Sequence, residues 1–102
     1  MDESDFKAKI SQEIQERYPE AIILRIDPTF VQGFPDILIL YGRCWAALEA
    51  KRSKKASIRP NQPYYVDLTD QMSFGAFIFP ENKEDVFARL FRFLDTNGGS
   101  RH

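Results

Sequence analysis

Apolar residues along this chain recur with two periods, and the places where the period changes mark its elements. Phe6, Ile10 and Ile14 stand four apart among polar neighbours, which predicts an amphipathic helix from about Ser4 to Tyr18. Ser4 is its expected N-cap, acidic residues favour that end, and Pro19 closes it. Ala21 to Ile26 is a short β-branched run, a first strand. Asp27 to Phe34 holds Pro28 and Gly33 ahead of Pro35, so it is expected to be a loop that turns the chain. Ile37 to Tyr41 and Cys44 to Ala50 are strand-prone runs, with Ile37 to Leu40 apolar enough for burial on both faces. The polar, basic stretch Arg52 to Pro60 reads as a second loop. Asn61 is then expected to cap a helix opening at Gln62-Pro63, with Tyr65, Leu68 and Met72 as its apolar stripe. Phe74 to Phe79 is a fourth strand suited to burial on both faces, ended by Pro80. Asn82 and Asp85 resemble a capping pair for a last helix whose core side is Val86, Phe87, Leu90, Phe91 and Leu94. The order α-β-β-β-α-β-α predicts an α/β fold, a mixed four-stranded sheet with helices on both faces.

The two middle strands carry a register that arithmetic can fix. Gly42-Arg43 has the Gly-first composition of a tight two-residue turn. A turn centred there sets Tyr41 against Cys44, Leu40 against Trp45, Leu38 against Ala47 and Asp36 against Glu49. Opposed side chains share a face and lie about 5 Å apart at Cβ. Lys51, two residues past Glu49, falls on the same face. Two carboxylates this close repel unless one is protonated or a cation joins them. A divalent, oxygen-preferring ion such as Mg²⁺ suits that place. With a lysine beside it to orient water or steady a developing anion, the set fits metal-assisted hydrolysis of a phosphodiester. The ordinary alternative is two solvated strand-end carboxylates with Lys51 as a surface partner, an arrangement worth little.

Composition narrows the function classes. The 102 residues are expected to form one domain over 1–96, with 97–102 a flexible tail or cloning remnant, whose His102 is left out of any chemistry. Nine phenylalanines, four tyrosines and a tryptophan argue for a packed core over disorder. The net charge of −1 excludes a generally basic nucleic-acid binder, so attraction to nucleic acid has to be local. Its source would be the run Lys51, Arg52, Lys54, Lys55 and Arg59, which is either a solvated loop or, beside a phosphodiester site, a backbone clamp. Lys54, Lys55 and Arg59 are the expected substrate contacts. Tyr64 and Tyr65 could stack on bases, although helical spacing favours Tyr65 as core. The lone Cys44 has no internal disulfide partner and no histidine to activate it. The expectation is a reducing, cytoplasmic setting, with no signal peptide and no membrane span.

Gly33-Phe34-Pro35-Asp36, the segment Ala46-Ala47-Leu48-Glu49-Ala50-Lys51, the downstream Pro60-Asn61-Gln62 and the later Phe79-Pro80-Glu81-Asn82-Lys83 together resemble the PD-(D/E)XK nuclease superfamily. The likeness is strongest to its small VRR-NUC-like, phage-type endonucleases and covers about Phe6 to Leu94. It implies a restriction-endonuclease-like αβββαβ core plus a C-terminal helix. It also implies that Asp36, Glu49 and the Ala50 carbonyl hold Mg²⁺ or Mn²⁺, that Lys51 assists the attacking water, and that Gln62 supports the site. Relatives often add a glutamate from the first helix. Glu13 is the expected one here, about 20° from Phe6 around the helix at the edge of the apolar stripe. The implied activity is metal-dependent DNA endonuclease cleavage, structure-specific or weakly sequence-specific, on branched DNA, nicks or ends. The implied partners are DNA, a second copy of the chain, since two strand cuts need two sites, or a targeting protein. If phage-encoded, the chain would work in the host cytoplasm. The alternatives are RNA cleavage by the same site, or a nuclease fold that only binds nucleic acid or a partner.

Overall fold

A computed structural model describes residues 2–27 and 29–99. Pro28 of the expected loop, and residues 100–102 with His102 of the expected tail, lie outside the described residues. The elements follow the expected order: α1 (Glu3–Arg17), β1 (Ile22–Arg25), β2 (Ile37–Tyr41), β3 (Cys44–Ala50), α2 (Asn61–Met72), β4 (Gly75–Ile78) and α3 (Lys83–Asn97). They build a four-stranded mixed sheet in the order β1-β2-β3-β4. The first three strands are antiparallel, and β4 returns through α2 to lie parallel to β3. This is an α/β fold with helices on both faces of the sheet and a C-terminal helix, consistent with a restriction-endonuclease-like core.

The hairpin register is the one the turn implies. Tyr41 pairs with Cys44, Leu40 with Trp45, Leu38 with Ala47 and Ile37 with Leu48. Gly42 takes φ +59°, and no residue other than glycine has positive φ among those described. Positive φ at the first turn position alone is the II′ arrangement, which suits the strands' twist. The same face period now sorts the core. Ile37, Ile39, Ala46, Leu48, Ala50, Ala76 and Ile78 turn to one side, where they meet Phe6, Ile10 and Ile14 of α1 and Val86, Leu90 and Leu94 of α3. Leu48 is wholly buried at the centre of this layer. Leu48→Ala is expected to cost about 3 kcal/mol, read as a lower urea midpoint at an unchanged slope.

The other face departs from expectation. Helix α2 covers only its β3–β4 half, with Ser73 Oγ donating to the Trp45 carbonyl. Beyond it, Ile22 is 57 % exposed, Leu24 41 % and Leu40 36 %, so β2 is buried on one face and not on both. The stripe expected of α2 is also rotated. Gln62, Val66 and Thr69 are buried, Tyr65 and Leu68 are half-buried, and Met72 is exposed. Polar burial there is satisfied locally: Thr69 Oγ1 donates within 3.0 Å of the Tyr65 and Val66 carbonyls.

Three end assignments change as well. Asp2, not Ser4, caps α1, accepting from the Asp5 N–H at 2.8 Å. Asn61 is the first residue of α2 and not its cap; Pro60 holds the cap position without a side-chain bond. Asn82 does not cap α3 with its side chain, which instead bridges the end of β4, accepting from Phe79 N–H and donating to the Phe77 carbonyl. Helix α3 runs to Asn97, and Gly98 is buried, so the packed unit extends past 96. No helix among the described residues is long and apolar enough to cross a membrane.

Candidate active site

Where β2 begins and β3 ends, the hairpin delivers its charged residues to one hollow of about 340 Å³. Asp36 and Glu49 lie one step beyond the Ile37–Leu48 pair, on the face that α2 covers. Pro35 is fully buried just before Asp36, and Gly33 ahead of it takes φ +90° with no room for a Cβ beside Asn61. Residues 33–35 are thereby pinned to the start of α2, which brings Gln62 over the strand ends. Asp36, Glu49, Lys51, Arg59 and Gln62 all line the hollow.

The contacts within it are specific. Asp36 Oδ1 accepts from the Ala50 N–H at 3.3 Å, the direct bridge between the two strand ends. Gln62 Nε2 donates to Glu49 Oε2 at 3.0 Å, while Gln62 Oε1 accepts from the Arg59 N–H at 2.8 Å. Gln62 therefore fixes Glu49 and the basic loop together. Lys51 Nζ stands 3.8 Å from Glu49 Oε2, and both side chains are almost fully buried. These are not solvated strand-end charges. Glu49 Oε1 is buried with no hydrogen-bond partner among the described residues. Burial, and then the charge of Asp36, push the Glu49 carboxyl up to about 8, against the opposing pull of Lys51 and Lys7.

A buried carboxylate oxygen without a donor, beside a second carboxylate, is the place a hard cation would take. Among the described residues no group of three or more metal-binding side chains converges. Two carboxylates nevertheless fit Mg²⁺ or Mn²⁺ chemistry, since such ions commonly hold one or two protein carboxylates plus water and substrate phosphate. Asp36 and Glu49 are the side chains that would hold it.

Helix α1 contributes differently from expectation. Glu13 is not brought to the hollow: its carboxylate is 2.7 Å from Lys83 Nζ at the start of α3. Its angle around the helix placed it at the stripe's edge, but the site sits at the N-terminal end of α1 and on the opposite flank. Glu3 and Lys7 lie about 60° and 100° from Phe6 on that flank, and Glu13 is about 15 Å from Glu3 along the axis. Glu3 and Lys7 line the hollow instead. Lys7 Nζ is 2.6 Å from Asp36 Oδ2 and 3.8 Å from Glu3 Oε2, and Glu3 Oε1 accepts from the Arg52 N–H. Arg25, at the end of β1, is a further lining residue with no signal in the sequence to mark it. The Glu3–Lys7 pair at i, i+4 was a visible signal; its axial position was not.

The basic loop is divided. Arg59 borders the central hollow and the two beside it, one lined by Gln32 and Asn61, the other by Ser4 and Ser57. Lys54 and Lys55 are exposed outside the central hollow, their backbone N–H groups held by Glu81 and Ser53. Tyr65 packs on Phe34, whereas Tyr64 is 62 % exposed.

No protein-family model matches the chain, and no curated protein matches it either. Among solved structures it is similar to a VRR_NUC domain protein, with a TM-score of 0.65 and 13 % sequence identity over 96 % of this chain and 91 % of that one. At that identity the likeness defines the fold alone: a VRR-NUC-like α/β domain.

Proposed function

We propose that this protein is a divalent-metal-dependent endonuclease of the PD-(D/E)XK type, small and phage-like, that hydrolyses phosphodiester bonds in DNA. The observation that carries the reading is buried Glu49 beside half-buried Asp36, with an orphaned Glu49 oxygen and Lys51 3.8 Å from the same carboxylate. A structural ion pair has no need to leave a buried carboxylate oxygen unpaired, because such an atom is costly.

Asp36, Glu49 and the Ala50 carbonyl would hold Mg²⁺ or Mn²⁺, which when bound polarises the scissile phosphate and lowers the pKa of a water ligand. The Lys51 ammonium, nearly buried, orients that water and offsets charge on the phosphorus oxygens in the transition state. Gln62 keeps Glu49 turned into the hollow. Arg59, between three adjoining hollows, and the exposed Lys54 and Lys55 supply backbone contacts that recognise phosphate without reading sequence. Such a hollow, with loop cations around it, favours structure-specific or weakly sequence-specific cutting of branched DNA, nicks or ends. A second copy of the chain or a targeting protein would supply paired cuts or address.

Supercoiled, branched and single-stranded DNA, with RNA alongside, are the test substrates, each with Mg²⁺, Mn²⁺ or EDTA. Wild type is expected to cut DNA only with metal, and Asp36→Ala is expected to lose that activity. Preference for RNA would move the substrate class. Binding without cleavage under every metal would leave a nucleic-acid-binding protein and overturn the reading.

A further inference from the structure

The shortest ion pair to the candidate metal seat comes from outside the hairpin. Asp36 has two carboxylate oxygens: Oδ1 accepts from the Ala50 N–H, and Oδ2 lies 2.6 Å from Lys7 Nζ. Lys7 is held there from behind by Glu3 on the preceding turn, at 3.8 Å. We propose that Lys7 is the resident cation of the metal-free site, holding Asp36 against Glu49 until a divalent ion displaces it. This rests on the reading of Asp36 and Glu49 as a metal seat and adds a residue to it.

Lys7 and a metal ion compete at Asp36. A divalent ion sits about 2.1 Å from a carboxylate oxygen. An ammonium 2.6 Å from that same oxygen would then stand only about 4 Å from a dication, where the two repel, so the two cations compete for Asp36. Without either, Asp36 Oδ2 would lose its cation while facing Glu49. Lys7 has a long, flexible stem and is partly exposed, so it can withdraw to the mouth of the hollow. Lys51 cannot play this part: it is nearly buried and faces Glu49. When the competent form of a site is the minor one, apparent affinity falls by that fraction. Removing the lysine therefore tightens metal binding.

Mn²⁺ binding is measured by the loss of the free-ion EPR signal for wild type, Lys7→Met, Lys7→Arg, Lys51→Met and Asp36→Asn at one pH, with melting curves in EDTA. The expected result is Mn²⁺ binding about tenfold tighter in Lys7→Met, little changed in Lys7→Arg and within about threefold of wild type in Lys51→Met. Metal-free Lys7→Met is expected to melt below wild type and to gain more from Mn²⁺. Affinity in Lys7→Met equal to or weaker than wild type overturns the proposal. So does equal tightening in Lys51→Met, which would mean a general field and not occupancy of Asp36. If Asp36→Asn binds Mn²⁺ as well as wild type does, the metal seat itself fails, and the proposed function fails with it. If a Lys7→Met variant does not fold, Lys7→Gln takes its place in the same comparison.

Discussion

Replacing Glu49 with glutamine is expected to abolish metal-dependent cleavage and, in the same protein, to raise the melting temperature of the metal-free chain at about pH 8.5, just above the raised carboxyl value. Both effects follow from one buried carboxyl. Its ordinary value of 4.5 is raised to about 8, chiefly by burial and then by Asp36. Below pH 4.5 the group is neutral whether the chain is folded or unfolded, and it contributes no difference. Between 4.5 and 8 the unfolded chain ionises and the folded one does not, so folding stability falls as pH rises through that window and levels off above it. The accumulated loss is on the order of several kcal/mol. The glutamine of Glu49→Gln cannot ionise and still offers Gln62 an acceptor. Relative to wild type in EDTA, the variant is expected to gain roughly 20 °C in melting temperature between about pH 5 and about pH 8.5. A constant difference across that range would mean that Glu49 is ionised without metal. Added Mg²⁺ is expected to narrow the gap, because a cation on the carboxylate favours its charged form.

Lys51→Met is the second large effect. The substitution keeps an unbranched apolar stem in a nearly buried position and removes only the ammonium 3.8 Å from Glu49. Single-turnover cleavage is expected to fall by about 10² to 10⁴, while Mn²⁺ affinity changes little. Loss of rate with metal retained assigns Lys51 to the reacting water and phosphate. A variant cutting at near wild-type rate would reduce Lys51 to a structural partner of Glu49.

How far the sequence leads depends on what each residue answers to. The hairpin was legible because a two-residue turn fixes every pairing after it, and Gly42-Arg43 identified the turn; Asp36, Glu49 and Lys51 followed by counting. The helix contribution was not, because an angle around α1 says nothing about height along it. Glu13 has a suitable angle but the wrong height and flank, while Glu3 and Lys7 stand at the helix end that meets β2 and β3. Helix α2 was misaligned for a different reason. Its inward face carries Gln62 and Thr69, made compatible with burial by partners on Glu49 and on their own helix. Apolar periodicity cannot see such partners, and Met72 drew the stripe to the exposed side. Leu40 and Ile22 show the converse: apolar strand residues left uncovered because α2 spans only half of that sheet face.

Everything proposed for the chemistry depends on Asp36 and Glu49 seating a divalent ion. Anomalous scattering from a crystal of the protein soaked in Mn²⁺ looks for that ion itself. A single Mn²⁺ peak is expected about 2.2 Å from oxygens of both Asp36 and Glu49, with Lys7 withdrawn from Asp36. A saturated crystal with no peak there, and with Lys7 still paired to Asp36, would contradict the metal seat and the nuclease built on it.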